Sequence, residues 1–344
     1  MGHAIDHPRR REQGLTLIEL MISMLLGIVF SLAVVSVYLD SKRNYEAEEE
    51  MARMQENGLF SLNLLKQELT LAGFFGGSLN AGDVTAKALT TDCATGNWAL
   101  NATTPIEFVN DHNSGSAPVT SAGTSLSCLS AGSNIEPETD VLVIKRTAGA
   151  PSWKAGSFAD SFTASATEKW YLRVVNYGDD REWLKLAPAA LQTTGGPYDP
   201  NGTSDDMAYW EAQTKIFYIR TYSETSGDDI PSLCVQRLEG DSMTSRCLVE
   251  GIEEMHIEFG IDTDNDGVAN QYMAAPTAAE IDNAVVARVY LIVRSLRELP
   301  DIQNQDTKSY QLGQRTLIDA KNDGYLRRVF STTVQIRNAI LPVS

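Results

Sequence analysis

Arg11-Glu12-Gln13-Gly14-Leu15-Thr16-Leu17-Ile18-Glu19-Leu20, continued without a charge to Leu39, sets the architecture of this 344-residue chain. Twenty helical residues rising about 1.5 Å each span roughly 30 Å, the thickness of a bilayer's hydrocarbon core. One carboxylate, Glu19, stands at the head of the apolar run, just beyond Arg9, Arg10 and Arg11. A charge inside a membrane helix costs on the order of 2.5–3.5 kcal/mol on insertion scales, so its retention implies that something depends on it. A secretory signal would be shorter and end in small residues at a cleavage site, whereas here the run passes directly into the polar stretch 40–55. A plain signal anchor, oriented by arginines kept in the cytoplasm, accounts for everything except Glu19 and the residues around Gly14. Cleavage after Gly14 would instead make the apolar helix the mature N-terminus.

Gly14-Leu15-Thr16-Leu17-Ile18-Glu19-Leu20 resembles the class III signal of type IV prepilins and pseudopilins, with Leu15 where phenylalanine is usual. The resemblance implies that a prepilin peptidase cuts between Gly14 and Leu15 and methylates the new amino terminus. Residues 1–14 would then be a leader, 15–75 a spine helix with its membrane segment at 20–39, and 76–344 a β-rich head. A buried carboxylate needs a positive partner. In a filament of parallel helices, that partner for Glu19 is the amino terminus of its own or a neighbouring subunit. Glu19 is thus expected to set assembly register.

Formal charge is −17; without the leader's three arginines and two acids, 43 acids face 25 bases, a net −18. Such a surface disfavours nucleic acid and anionic lipid as partners. Only His112 and His256 lie beyond the leader, little material for histidine chemistry. Cys93, Cys128, Cys234 and Cys247 form two sequence-local pairs without C-x-x-C spacing. Outside the cytoplasm disulfides are expected; of three connectivities, Cys93–Cys128 and Cys234–Cys247 are favoured as nearest in sequence.

No proline occurs between Pro8 and Pro105. Met51, Met54, Gly58, Leu62, Leu65, Leu69 and Ala72 recur at three- and four-residue steps, which predicts one helix from about residue 16 to Leu71. The glycine-rich run 73–77 ends it. Residues 78–138 read as an irregular connection stapled by Cys93 and Cys128, with a weak strand signal at 106–109. Strands are expected at 141–146, 170–175, 183–186, 215–221, 233–238, 255–261, 285–294 and 328–337. Within 255–261, alternation of Met255, Ile257, Phe259 and Ile261 with polar residues predicts one buried and one wet face, placing His256 at the surface. Strands without long intervening helices predict an antiparallel sheet, hence an α+β fold of one spine helix and a sheet head. This pattern is the pilin-like architecture.

Phe217-Tyr218-Ile219-Arg220, Pro231-Ser232-Leu233-Cys234, Leu248–Glu253 and the closing run Leu326–Asn338 resemble the soluble domain of PilW-type minor pilins. The resemblance implies a minor pilin acting with other minor pilins and the major pilin. Expected roles are priming of pilus assembly, display of a large tip adhesin, twitching motility and cell adhesion. Its location would be the inner membrane with the head in the periplasm, then the pilus fibre. A minor pseudopilin of type II secretion shares the N-terminal logic, and an anchored periplasmic binding domain would never polymerise.

Asp262-Thr263-Asp264-Asn265-Asp266-Gly267-Val268-Ala269-Asn270 carries the D-x-D-x-D-G start of a calcium loop. Oxygens at alternate positions converge and glycine permits the turn. Asp262, Asp264, Asp266, the Val268 carbonyl and Asn270 are candidate ligands for a structural calcium; Met273 stands where a bidentate glutamate is usual. An acidic turn without metal reads equally from these residues. No P-loop, G-x-S-x-G elbow, H-E-x-x-H helix or dinucleotide fingerprint is present, and no cofactor is required. Paired acids such as Glu253 and Glu254 are expected to be solvated, and the five tryptophans to be core anchors.

Overall fold

The computed structural model describes residues 14, 16–76, 81–94, 97–112, 119–121, 124–129, 134–154, 157–158, 167–175, 180–187, 207–299, 306–315 and 317–338. Leu15, most of the expected leader and Asp179 lie outside them. Two compact units, Met1–Glu50 and Met51–Ser344, divide the chain.

Helix α1 runs from Leu17 to Leu71. Its start is set by Thr16: Glu19 N donates to Thr16 Oγ1 at 3.3 Å, while the Thr16 amide and hydroxyl donate back to Glu19 Oε2 at 3.4 and 3.3 Å. This reciprocal pattern is a capping box, satisfying donors that a helix start leaves orphaned. In the first unit every large apolar side chain from Leu17 to Leu39 is exposed. Ser23, Ser31 and Ser36 turn their hydroxyls back onto Glu19, Gly27 and Ala33 carbonyls, so these polar groups are satisfied within the helix. Lys42 and Glu46, four residues apart, then mark a solvated continuation.

In the second unit, Met54, Gly58, Leu62, Leu65, Leu69 and Ala72 are buried as their spacing predicts. Met51 is 54 % exposed, so the buried stripe begins one turn later than expected. The helix stops at Gly73, whose φ of +75° suits glycine and where a Cβ would stand 2.7 Å from the Asn338 carbonyl oxygen.

The strands, in chain order, are β1 (Ile106–His112), β2 (Val119–Ser121), β3 (Thr124–Leu126), β4 (Thr139–Thr147), β5 (Trp153–Lys154), β6 (Ser157–Phe158), β7 (Lys169–Val175), β8 (Asp180–Leu186), β9 (Ala208–Arg220), β10 (Ser232–Glu239), β11 (Ser242–Glu250), β12 (Ile252–Ile261), β13 (Gln271–Met273), β14 (Ala284–Arg294) and β15 (Arg327–Gln335). A short helix α2, Ala278–Ile281, precedes β14. One sheet follows the order β1-β4-β9-β10-β11, with β5 and β7 pairing along β9; a second follows β13-β12-β14-β15. All described pairings between strands are antiparallel. The α+β, pilin-like expectation is therefore met.

The buried face of α1 shares a core with both sheets, including Phe108, Leu142, Phe217 and Leu233 from the first and Met255, Ile257, Leu291 and Val334 from the second. Region 78–138, expected to be an irregular connection with a weak strand signal at 106–109, carries β1, β2 and β3; Leu89, Trp98, Leu100, Leu126 and Leu129 from it, with Phe75, cover the first sheet's other face around Trp170, Trp183 and Ile216. Four tryptophans, Trp98, Trp153, Trp170 and Trp183, are buried; Trp210 is half-buried.

Two expectations fail at β12. It is buried on both faces throughout, and His256 is fully buried rather than at the surface. The cause is a cover that alternation cannot show: Tyr310 and Leu312 pack on Ile292, the Gln314 amide donates to Glu258, and Arg315 reaches Glu254 at 2.9 Å. The acids Glu253 and Glu254 are likewise buried, not solvated. Arg327 Nε lies 2.5 Å from Glu253, and Arg315 holds Glu254.

Candidate assembly helix and cation loop

A bare apolar helix of this length must enter a bilayer or pack against other helices, because water would otherwise solvate hundreds of Å² of contiguous hydrocarbon. One helix among the described residues, Leu17–Leu71, is long and apolar enough to cross a membrane. Gly14 is exposed ahead of it, and Leu15, its partner at the expected cleavage point, lies outside the described residues. Glu19 is also exposed, its carboxylate engaged with Thr16. The T-x-x-E spacing of Thr16 and Glu19 was the signal that identifies this cap, and reading Glu19 only as an assembly charge overlooks it.

The head is tied by two disulfides, Cys93–Cys128 and Cys234–Cys247, and no described cysteine is free. Cys234 and Cys247 are register partners across β10 and β11, beside a bulge between Leu233 and Cys234. Closing so short a loop contributes roughly 3 kcal/mol in the chain-entropy account.

In the loop after β12, the Asp262, Asp264 and Asp266 carboxylates each offer an oxygen within 4.8 Å of the others. Asp262 organises the turn: Oδ1 accepts from the Asp264 and Asn265 amides at 3.2 and 2.7 Å, and Oδ2 from Gly267 at 2.7 Å. Burial raises the Asp262 carboxyl, but these backbone donors outweigh it and hold the group below its usual range. Asn265 and Gly267 take positive φ to close the turn. Asp264, Asp266 and Val268 are exposed, and Asn270 Oδ1 accepts from the Thr263 amide and hydroxyl at 2.6 and 3.0 Å. The donor set is all oxygen, which suits a hard cation; Asp264 and Asp266 are the exposed carboxylates, with Asp266 Oδ1 accepting from the Val268 amide at 2.8 Å. Of the three acids that could complete a shell, Glu280 is spent on the Thr277 cap and Glu258 on Gln314, while Asp282 stands at the C-terminal cap of α2.

Residues 216–338 match the family described as Type IV Pilus-assembly protein W, and residues 9–35 match the Prokaryotic N-terminal methylation motif. The PilW-type resemblance read from the sequence is thereby borne out. No curated protein and no solved structure matches the chain.

Proposed function

We propose that this protein is a minor pilin of the type IV pilus, cleaved after Gly14 and methylated at Leu15. The observation carrying this reading is the coincidence, on one chain, of an N-terminal methylation motif running onto a bare apolar helix and a PilW-type head. The protein waits in the inner membrane with its head in the periplasm and is then drawn into the fibre. There its helix packs against other minor pilins and the major pilin. It primes assembly from the tip and supports adhesin display, twitching motility and adhesion; catalysis has no part in this. N-terminal sequencing and mass measurement of protein from native membranes test the proposal. Methyl-leucine at Leu15 is expected, and an intact leader overturns it.

The 262–270 loop is proposed to hold a structural calcium weakly, in the ~10⁻⁴–10⁻³ M range of extracellular modules, given Met273 at the usual glutamate position. Calorimetric titration with calcium should show binding that Asp264→Asn removes; no heat and no change in Tm would dispose of the site.

A further inference from the structure

The covered face of β12 holds a second cluster, remote in sequence from the acidic loop. His256 from β12, Asp140 from β4 and Asp111 from the β1 bulge each offer a ligand atom within 4.8 Å of one another. His256 and Asp140 are fully buried, with Asp111 38 % exposed in its side chain. His256 Nδ1 stands 3.2 Å from Asp140 Oδ2, and neither ring nitrogen meets hydrogen-bond geometry; Asp111 Oδ1 has no aligned donor but lies 3.2 Å from Arg315 Nε, and its Oδ2 accepts from Asn110 Nδ2 at 2.9 Å. Buried polar atoms are normally satisfied, so an orphaned imidazole nitrogen calls for a partner.

We propose that Asp111, Asp140 and His256 bind one divalent metal ion of the zinc class, bolting the end of the paired strands β1 and β4 to the second sheet.

Three arguments converge. A nitrogen and an oxygen sharing one tetrahedral ion, each at about 2.05 Å, lie about 3.3 Å apart, close to the His256–Asp140 spacing. The same spacing lies within hydrogen-bond range, so what separates a shared ion from a simple His–Asp pair is the second ring nitrogen, Nε2, which is buried and has no partner among the described residues.

Charge points the same way. Arg315 is shared between Asp111, at 3.2 Å, and Glu254, at 2.9 Å, and no lysine or arginine among the described residues pairs with Asp140. Asp140 instead accepts from the Asp111 and Ile257 amides at 2.9 and 2.6 Å, which fixes its carboxylate while leaving lone pairs free. One imidazole and two carboxylates form a borderline donor set, better suited to zinc than to calcium or magnesium. The half-exposed Asp111 gives the ion a route from solvent and leaves a fourth position for water.

The test is metal titration of the detergent-solubilised full chain after EDTA stripping and dialysis, with zinc against a chromophoric chelator and with cobalt(II) for its visible absorption. One equivalent should bind. His256→Asn should abolish binding, and Asp111→Asn should weaken it at least about tenfold with the circular dichroism unchanged. Asp264→Asn, in the acidic loop, should leave zinc binding intact. Because His256→Asn can fail to fold, the half-exposed Asp111 decides. The proposal is overturned if the wild-type chain takes up no stoichiometric zinc, if Asp111→Asn binds as tightly, or if Asp264→Asn abolishes uptake.

Discussion

Glu68 shows what a single residue does here and why its part was invisible beforehand. In the sequence it is one more acid on a helix, adjacent to Leu69 of the apolar stripe. In the fold it is buried and bidentate to Arg146, at 2.9 and 3.0 Å, with Lys215 Nζ a further 2.6 Å contact. Burial raises its carboxyl, but the two cations outweigh burial and hold it below the usual 4.5. Glu68→Gln leaves the buried Arg146 without its counter-charge, and losing one member of such a pair costs about 3–5 kcal/mol. Urea unfolding of the solubilised chain, followed by tryptophan fluorescence, should show that loss. Because the folded carboxyl binds its proton at lower pH than the unfolded one, its contribution is complete above about pH 4.5 and drains away below it. The wild-type chain should therefore lose stability on acidification below that point, and Glu68→Gln should lose less. His256, Glu253 and Glu254 escaped the sequence reading for the same reason: periodicity reports one face of an element, and a partner arriving from far along the chain can bury the other.

Elements were legible where their own side chains alternate or repeat and illegible where the backbone alone holds them. Helix α1 and strands such as β4, β12 and β14 follow directly from apolar spacing. Strand β11, Ser242-Met243-Thr244-Ser245-Arg246-Cys247-Leu248-Val249-Glu250, has almost no alternation; it is an exposed edge held by its ladder to β10 and by Cys234–Cys247. The helix end was legible because glycine has a backbone reason to be there. Gly73→Ala meets both a left-handed backbone and the Asn338 carbonyl, so it should cost about 1–3 kcal/mol or more. Gly227, with φ of +93° and open space around it, isolates the backbone part. Gly227→Ala should cost about 1 kcal/mol, and comparable losses in the two variants would remove the packing argument at Gly73.

At the scale of the whole molecule, Glu19 has two candidate roles that one substitution series separates. As the third helical residue after Thr16 it closes a capping box, a local task that glutamine performs as well as glutamate. As a charge in an otherwise apolar helix it waits for an amine on an assembled neighbour, which glutamine cannot answer. The two roles fit together, since a capped, preformed helix start presents that charge at a fixed axial position. Both Glu19→Ala and Glu19→Gln remove a membrane-disfavoured charge, so insertion should be undisturbed or favoured. If register depends on charge, both variants should accumulate in the membrane and vanish from sheared surface fibres, as seen by immunoblot of the two fractions. If the cap is all that matters, Glu19→Gln should assemble normally while Glu19→Ala and Thr16→Ala fail together. The charge-register account predicts the first pattern, with Thr16→Ala costing only about 1 kcal/mol of helix stability and still entering the fibre.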